Sequence, residues 1–292
     1  LVRLKGIADA LLVHDRPIAR PVDDSVVLVV PGKVQSVDGE QEEKPRADVM
    51  ILRRARGYVP QAIRWRDNTT DGGAQGPILA VGGHLKNTVA LLTGNRVVLS
   101  QHLGDLSTLE ADRAFRQAVE DLRQLLHVTP LAIACDLHPD YRSTTFGREL
   151  AATLSVPLIP VQHHHAHVAS CMAEHQLDGE VLGIAWDGAG YGGDGQVWGG
   201  EFLIASYRQF TRFASLKPFR LLGGEAAMKE PGRSAAAVLW ELMGEEMLCY
   251  DLPFWKMTDD QRAQLASVLR SGVASPWTTS MGRLFDAVAS LT

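Results

Sequence analysis

The spacing of apolar and polar positions is irregular at first and becomes ordered from residue 78 onward. Short apolar runs at 78–81, 88–92 and 96–101 predict strands, and Thr93-Gly94-Asn95 between the last two is a hairpin signal. Ser107-Thr108-Leu109-Glu110 has the form of a capping box, and Phe115, Val119, Leu122 and Leu126 behind it recur at helical spacing. The pattern then predicts a strand at 131–135, a helix at 144–153, a strand at 157–161 and a helix at 164–175. Two further strands, at 181–186 and 196–203, flank a glycine-rich loop. Helices are expected at 234–243 and 259–269, and a last one from 279, while 208–276 as a whole is less informative.

The order from residue 78, β-β-β-α-β-α-β-α, is that of a ribonuclease-H-like unit, and the strands after 180 read as the start of a second copy that the chain does not complete. Two copies face to face give the α/β architecture of actin, hexokinase and Hsp70, with a nucleotide in the cleft between them. Residues 1–48 are too short to hold a core alone. They read as the last helix, loop and strand of a preceding domain, followed at 31–48 by a polar, turn-rich linker. The second domain is expected to span 49–292. The arginines at 53–56 fit an anion site or a solvated edge strand equally well.

Composition narrows the class. The chain has 292 residues, 46% hydrophobic and 22% charged, which suits a soluble globular enzyme. A net charge of −5 without a basic cluster argues against a nucleic-acid surface. Cys135, Cys171 and Cys249 form no close pair, which fits a reducing, cytoplasmic compartment. No apolar run has membrane-spanning length and no signal peptide is visible. The chain begins without Met and stops inside an apolar helical pattern, so both ends read as cut from something longer.

The candidate chemistry centres on Val161-Gln162-His163-His164-His165-Ala166-His167, which holds four of the chain's ten histidines. The cluster opens a helix at the carboxyl end of a buried strand, where open α/β sheets place ligands. His163 and His167, four apart, share a helix face and can ligate one divalent ion. The Glu of a His-Glu-x-x-His metalloprotease is missing. Two glycine-rich loops offer backbone N–H groups to phosphate. The first carries Gly83, His84 and Lys86; the second follows Asp187 and carries Gly188, Gly190 and Gly192. The second also matches Gly-x-Gly-x-x-Gly, but a strand pattern follows it and Phe213 stands where a dinucleotide fold needs an acid, so a Rossmann site is rejected. Ser280 and Gly282, at the start of the last helix, could meet a phosphate or simply cap the helix.

Several separated motifs together resemble the HypF family, the carbamoyltransferases of nickel–iron hydrogenase maturation. They are the histidine cluster, Asp187-Gly188-Ala189-Gly190-Tyr191-Gly192, Trp198-Gly199-Gly200-Glu201 and Gly282-Arg283-Leu284-Phe285-Asp286-Ala287-Val288. Asp136-Leu137-His138-Pro139-Asp140-Tyr141 and Arg54-Ala55-Arg56-Gly57-Tyr58-Val59-Pro60 add to them. The resemblance implies that 1–48 ends a YrdC-like domain and that 49–292 is a TsaD-like transferase domain truncated at its C-terminal end. It implies ATP and carbamoyl phosphate as substrates, joined as carbamoyl-adenylate. The carbamoyl group would pass to the C-terminal cysteine of the partner HypE, on the way to the cyanide ligands of the hydrogenase. It also implies a divalent metal on His163 and His167, with Asp187 as the carboxylate ligand because it ends a neighbouring strand, and these three as the catalytic set. Lys86 and His84 would neutralise phosphate charge. Iron, zinc and magnesium all stay open, although imidazole favours a transition metal. The related tRNA threonylcarbamoyl transferases have Glu where this chain has His165. An antibiotic O-carbamoyltransferase, a sugar-kinase-like phosphotransferase and a non-enzymatic scaffold are the alternative readings.

Overall fold

The structure, a computed structural model, describes residues 6–31, 47–65, 76–250 and 257–292. By its internal contacts the chain divides into two compact units, Leu1–Val59 and Pro60–Thr292. In the first unit, β1 (Val26–Pro31) pairs antiparallel with β2 (Ala47–Arg53), Val27 opposite Ile51 and Val29 opposite Val49. The Ser25 hydroxyl accepts from the Ala55 N–H at 2.9 Å and donates to the Arg56 carbonyl at 2.8 Å, closing the hairpin's open end. The helix expected before β1 is absent: residues 6–25 form turns and extended chain. Its apolar stretch, Ile7 to Leu12, is too short to hold a helix without packing. The boundary expected after residue 48 falls inside β2. Most of the linker expected at 31–48 lies outside the described residues.

In the second unit six strands form one sheet in the order β3-β6-β5-β4-β7-β8. These are β3 (Ile63–Arg64), β4 (Ile78–Ala80), β5 (Ala90–Thr93), β6 (Arg96–Leu99), β7 (Ala132–Asp136) and β8 (Leu158–Val161). The pairs from β3 to β4 are antiparallel, and β4, β7 and β8 are parallel. Helices α1 (Leu109–Leu126) and α2 (Arg142–Leu154) join the parallel strands. Leu79, Leu91, Val98, Phe115, Val119, Leu122, Ile133 and Cys135 make the core. Each large side chain there contributes about 1.5–3 kcal/mol of transfer free energy. The α1 cap sits one residue beyond the expected Ser107. Thr108 accepts from the Ala111 N–H, because Asp105 takes both the N–H and the hydroxyl of Ser107.

The helix after β8, α3 (His163–His175), leaves this sheet and covers a second one. Val168 and Met172 of α3 pack with Ala185, Leu203 and Ala205. The approach is close at Gly183, where a β-carbon would stand 2.4 Å from Val168 Cγ2. β10 (Val197–Ala205) is the middle strand, antiparallel to β9 (Val181–Tyr191) and to β11 (Phe210–Ser215). β12 (Phe219–Arg220) pairs with β13 (Trp277–Thr278), whose Thr278 meets Val197. Helices α4 (Ala226–Lys229), α5 (Pro231–Met243), α6 (Asp259–Ser271) and α7 (Met281–Leu291) complete the unit. Phe219, Leu222, Ala236, Ala237, Met247 and Leu269 form a core between β12, α5 and α6, with Leu284 of α7 packed against it.

One difference from expectation bears on the site. β9 does not stop at Trp186 but runs to Tyr191, with Gly190 opposite Trp198 and Tyr191 opposite Val197. Gly188 and Gly190 are therefore strand residues and not part of a free loop. The turn itself falls at Gly193 and Gly195, whose φ of 75° and 80° suits glycine. Glycine-rich sequence read as loop is here a strand that others press against.

Candidate metal centre

β8 delivers the chain to Gln162, whose side chain accepts from the His165 N–H at 2.9 Å and caps α3. That cap places His163 and His167 one turn apart at the helix start. Asp187, on β9, faces them. His163 Nε2 lies 3.0 Å from Asp187 Oδ2 and 3.2 Å from His167 Nε2; His167 Nε2 lies 3.7 Å from the same carboxylate oxygen. The three donor atoms lie within 4.8 Å of one another. The other ring nitrogen of His163, Nδ1, is 2.6 Å from Asp136 Oδ2, at the end of β7. Asp136 is itself pinned, since its Oδ1 accepts the His138 N–H at 2.8 Å.

Electrostatics follow from this packing. Burial, the largest single influence on His163, opposes its charge, but hydrogen bonds to Asp136 and Asp187 outweigh it and raise the pKa to about 9. Burial likewise acts to raise Asp187, yet hydrogen bonds from His163, His167 and the Gly188 N–H hold it far below the usual carboxylate range. His164 behaves oppositely: burial, and the neighbouring positive His163, push it down to about 4. It is fully buried beside Gln162, and among the described residues its Nε2 has no hydrogen-bond partner. His165 points elsewhere, its Nε2 2.7 Å from the Ser206 carbonyl and its ring against Phe210. The four histidines thus divide into two that face the cluster and two that hold the helix in place.

Two imidazole nitrogens and a carboxylate oxygen, with a further carboxylate fixing the tautomer of one ring, are a donor set suited to a divalent transition metal. The other expected residues are placed as follows. Gly83 borders the site, since a β-carbon there would lie 3.8 Å from His163 Cε1. His84 lies 3.7 Å from Asp105 and stacks against Tyr141. Lys86 is exposed, with left-handed backbone at φ 48°. Gly190 presses on the His164 ring, and Gly192 on Trp198. Ser280 caps α7 by accepting the Arg283 N–H at 3.0 Å, and its hydroxyl donates to the Gly188 carbonyl at 2.6 Å. A β-carbon on Gly282 would stand 2.9 Å from the Gly188 Cα. Ser280 and Gly282 therefore brace the strand that carries Asp187.

Sequence reasoning missed two contributors. Asp136 follows an apolar run just as Asp187 does in sequence, and that shared signal would have found it, although only Asp136 ends its strand and Asp187 lies within β9. Glu201, fully buried, accepts from Thr279, from the Gly199 N–H at 3.2 Å and from Arg212 Nε at 2.7 Å. It ties β10, β11 and the segment before α7 together behind Asp187.

Two ribonuclease-H-like sheets with an imidazole–carboxylate cluster where they meet define a Kae1-like domain. Residues 73–174 match the family described as the HypF Kae1-like domain, and residues 183–292 match the second subdomain of the carbamoyltransferase Kae1-like domain. The chain belongs to the HypF family. It is 43% identical to carbamoyltransferase HypF of Synechocystis sp. over 100% of this chain and 37% of that protein. It is 42% identical to carbamoyltransferase HypF2 of Cupriavidus necator over 99% of this chain and 33% of that one. The crystal structure of full-length HypF in its phosphate- and nucleotide-bound form superposes with a TM-score of 0.81 at 36% identity, covering 99% of this chain and 41% of that one. HypF of T. kodakarensis gives 0.76 at 34% identity, covering 92% and 34%. The chain spans about a third of the length of the curated relatives it matches. Among the described residues no helix is long and apolar enough to cross a membrane.

Proposed function

We propose that this chain is the carbamoyl-transferring part of a HypF protein, taking the carbamoyl group from carbamoyl-adenylate and delivering it to the C-terminal cysteine of HypE. The observation that carries this reading is the His163–His167–Asp187 cluster, backed by Asp136 and set where the two matched subdomains meet. The nucleotide-bound state of a structural relative supports ATP as the source of the adenylate. His163, His167 and Asp187 would hold the divalent ion. When bound it supplies Lewis-acid polarisation of a carbonyl or phosphoryl oxygen. The chain's own residues supply the frame. Asp136 fixes the His163 ring through Nδ1, the Gly188 N–H fixes Asp187 at 2.6 Å, and Ser280 fixes Gly188. Gly83, on the loop after β4, is the expected point of close backbone approach to a phosphate oxygen. Family membership favours carbamoyl transfer over the sugar-kinase alternative, which needs no histidine cluster. The division at 1–48 and 49–292, with a YrdC-like end before the transferase part, belongs to the same proposal.

The test is transfer by the full-length protein. Carbamoyl phosphate, ATP and a peptide bearing the HypE tail should yield peptide heavier by one carbamoyl group on its cysteine, seen by mass spectrometry. His163→Ala should abolish the product. Phosphorylation of a sugar alcohol without carbamoyl phosphate, and no modified peptide, would overturn the reading.

A further inference from the structure

Four rings form a row beside the cluster. His84 stacks on Tyr141 with centroids 5.4 Å apart; Tyr141 lies parallel to His138 at 4.0 Å, and His138 meets Tyr191 edge-on at 5.4 Å. The row is anchored at both ends on the centre. Gly83 and Gly190, the two glycines that abut the His163 ring, immediately precede its end members His84 and Tyr191. Its middle is anchored as well, because the His138 N–H is bound to Asp136. Tyr141 is thus clamped between two imidazoles within the field of Asp136 and Asp187. Among the described residues its hydroxyl has no hydrogen-bond partner. His138 Nδ1 accepts the Asp140 N–H at 3.2 Å, which leaves the proton of the neutral ring on Nε2.

We propose that Tyr141 is a substrate-contact residue, whose hydroxyl donates a hydrogen bond to the carbonyl oxygen of a carbamoyl group held at the cluster, with His84 and His138 fixing the phenol ring. The inference rests on the carbamoyl-transfer reading above. Four physical points support it. Burial first, then the charges of Asp136 and Asp187, push the phenol up to about 12, so it stays a donor at any working pH. Beside two carboxylates, a donor favours a neutral acceptor such as an amide-like oxygen over a phosphate dianion. A thiolate attacking that carbonyl builds negative charge on its oxygen, and a fixed donor stabilises the charge as it grows. No proton leaves the phenol in this role. Stacking on His138, parallel at 4.0 Å, and on His84, tilted by 26° at 5.4 Å, restrains the ring, so the donor is oriented before substrate arrives.

The experiment compares full-length wild type with Tyr141→Phe, which keeps the ring row and removes only the hydroxyl. Each is titrated calorimetrically with AMP and with an unreactive sulfamoyl analogue of carbamoyl-adenylate, and metal content is measured on the same samples. The expected result is analogue affinity lower by about three- to tenfold in the variant, the worth of one neutral hydrogen bond, with AMP affinity and metal content unchanged. Unchanged analogue affinity overturns the inference. So does an equal loss for AMP, or a loss of metal, either of which would mark the hydroxyl as structural. If wild type itself shows no preference for the analogue over AMP, the carbamoyl-transfer reading falls, and this inference with it.

Discussion

Gly190 lies so close to the His164 ring that a β-carbon at that position would stand 2.4 Å from Cε1. Gly188, two residues earlier on the same strand, has nothing within 4 Å of the equivalent point. Two glycines of one motif thus do different jobs. Gly190→Ala should displace the His164 ring and the start of α3, costing about 1–3 kcal/mol as an overpacked core site does. Gly188→Ala should leave stability unchanged. Urea unfolding of both variants, with metal content beside it, checks the pair; equal stability would mean that the strand and helix can separate freely.

Asp136 supports His163 from behind, and its loss should be felt at the metal. Asp136→Asn keeps the shape of the side chain but removes the charge that orients Nδ1. Metal affinity is expected to fall by about ten- to a hundredfold, as it does when a ligand histidine loses its carboxylate partner. Competition with a chromophoric chelator measures this directly. A variant with wild-type affinity would show that the 2.6 Å contact is incidental.

His163 gives the site a defined pH response. Its pKa is raised from 6.5 to about 9 in the metal-free fold, so its contribution to stability is complete below 6.5 and lost as pH rises through 9. A metal needs the unprotonated Nε2, so ion and proton compete. Apparent metal affinity should climb by about tenfold per pH unit over that window and flatten above it. Zinc titrations from pH 6.5 to 9 in buffers of different ionisation enthalpy would report the proton released; no release would place the metal elsewhere.

Glu201 is a carboxylate with no access to water, held by Arg212, Thr279 and two backbone N–H groups. Glu201→Ala leaves Arg212 Nε and those buried N–H groups without their acceptor, while Asp194 still holds the guanidinium at 3.4 Å, and should cost about 1–3 kcal/mol. Glu201→Gln keeps acceptor capacity and should cost less. Thermal unfolding should rank wild type, Gln and Ala in that order, and equal midpoints would contradict the network.

Much of this was readable in the chain because two periodicities are strong here. Phe115, Val119 and Leu122 mark α1, and the apolar runs at 78–81 and 157–161 mark strands whose ends carry the site. His163 and His167 stand out by their i, i+4 spacing within a cluster of four histidines after a buried strand, and the fold brings them together with Asp187. What the pattern hid had physical causes. Gly188 and Gly190 looked like loop because glycine is the usual sign of one, yet both are strand residues, and the missing side chain at Gly190 admits the His164 ring while the one at Gly282 lets α7 approach Gly188. The place of Asp136 after an apolar run was legible but its pairing with His163 was not, since that partner is 27 residues away and meets it only when β7 and β8 pair. β11, β12 and β13 are set by long-range pairing with β10 and one another, not by local alternation.

The histidines that face the cluster lie within the segment 73–174, and Asp187 lies within 183–292. Among the described residues neither segment by itself holds all three donors of this cluster. An ion seated among them would act as a clasp, fastening the end of one half to the beginning of the other across the short connection between them. Severing that connection by proteolysis would then leave two pieces joined by the metal and by the packing of Val168 and Met172 on the second sheet. A chelator would loosen the joint while leaving every covalent bond of the chain intact, so occupancy of the centre and the set of the two halves become a single property of the molecule.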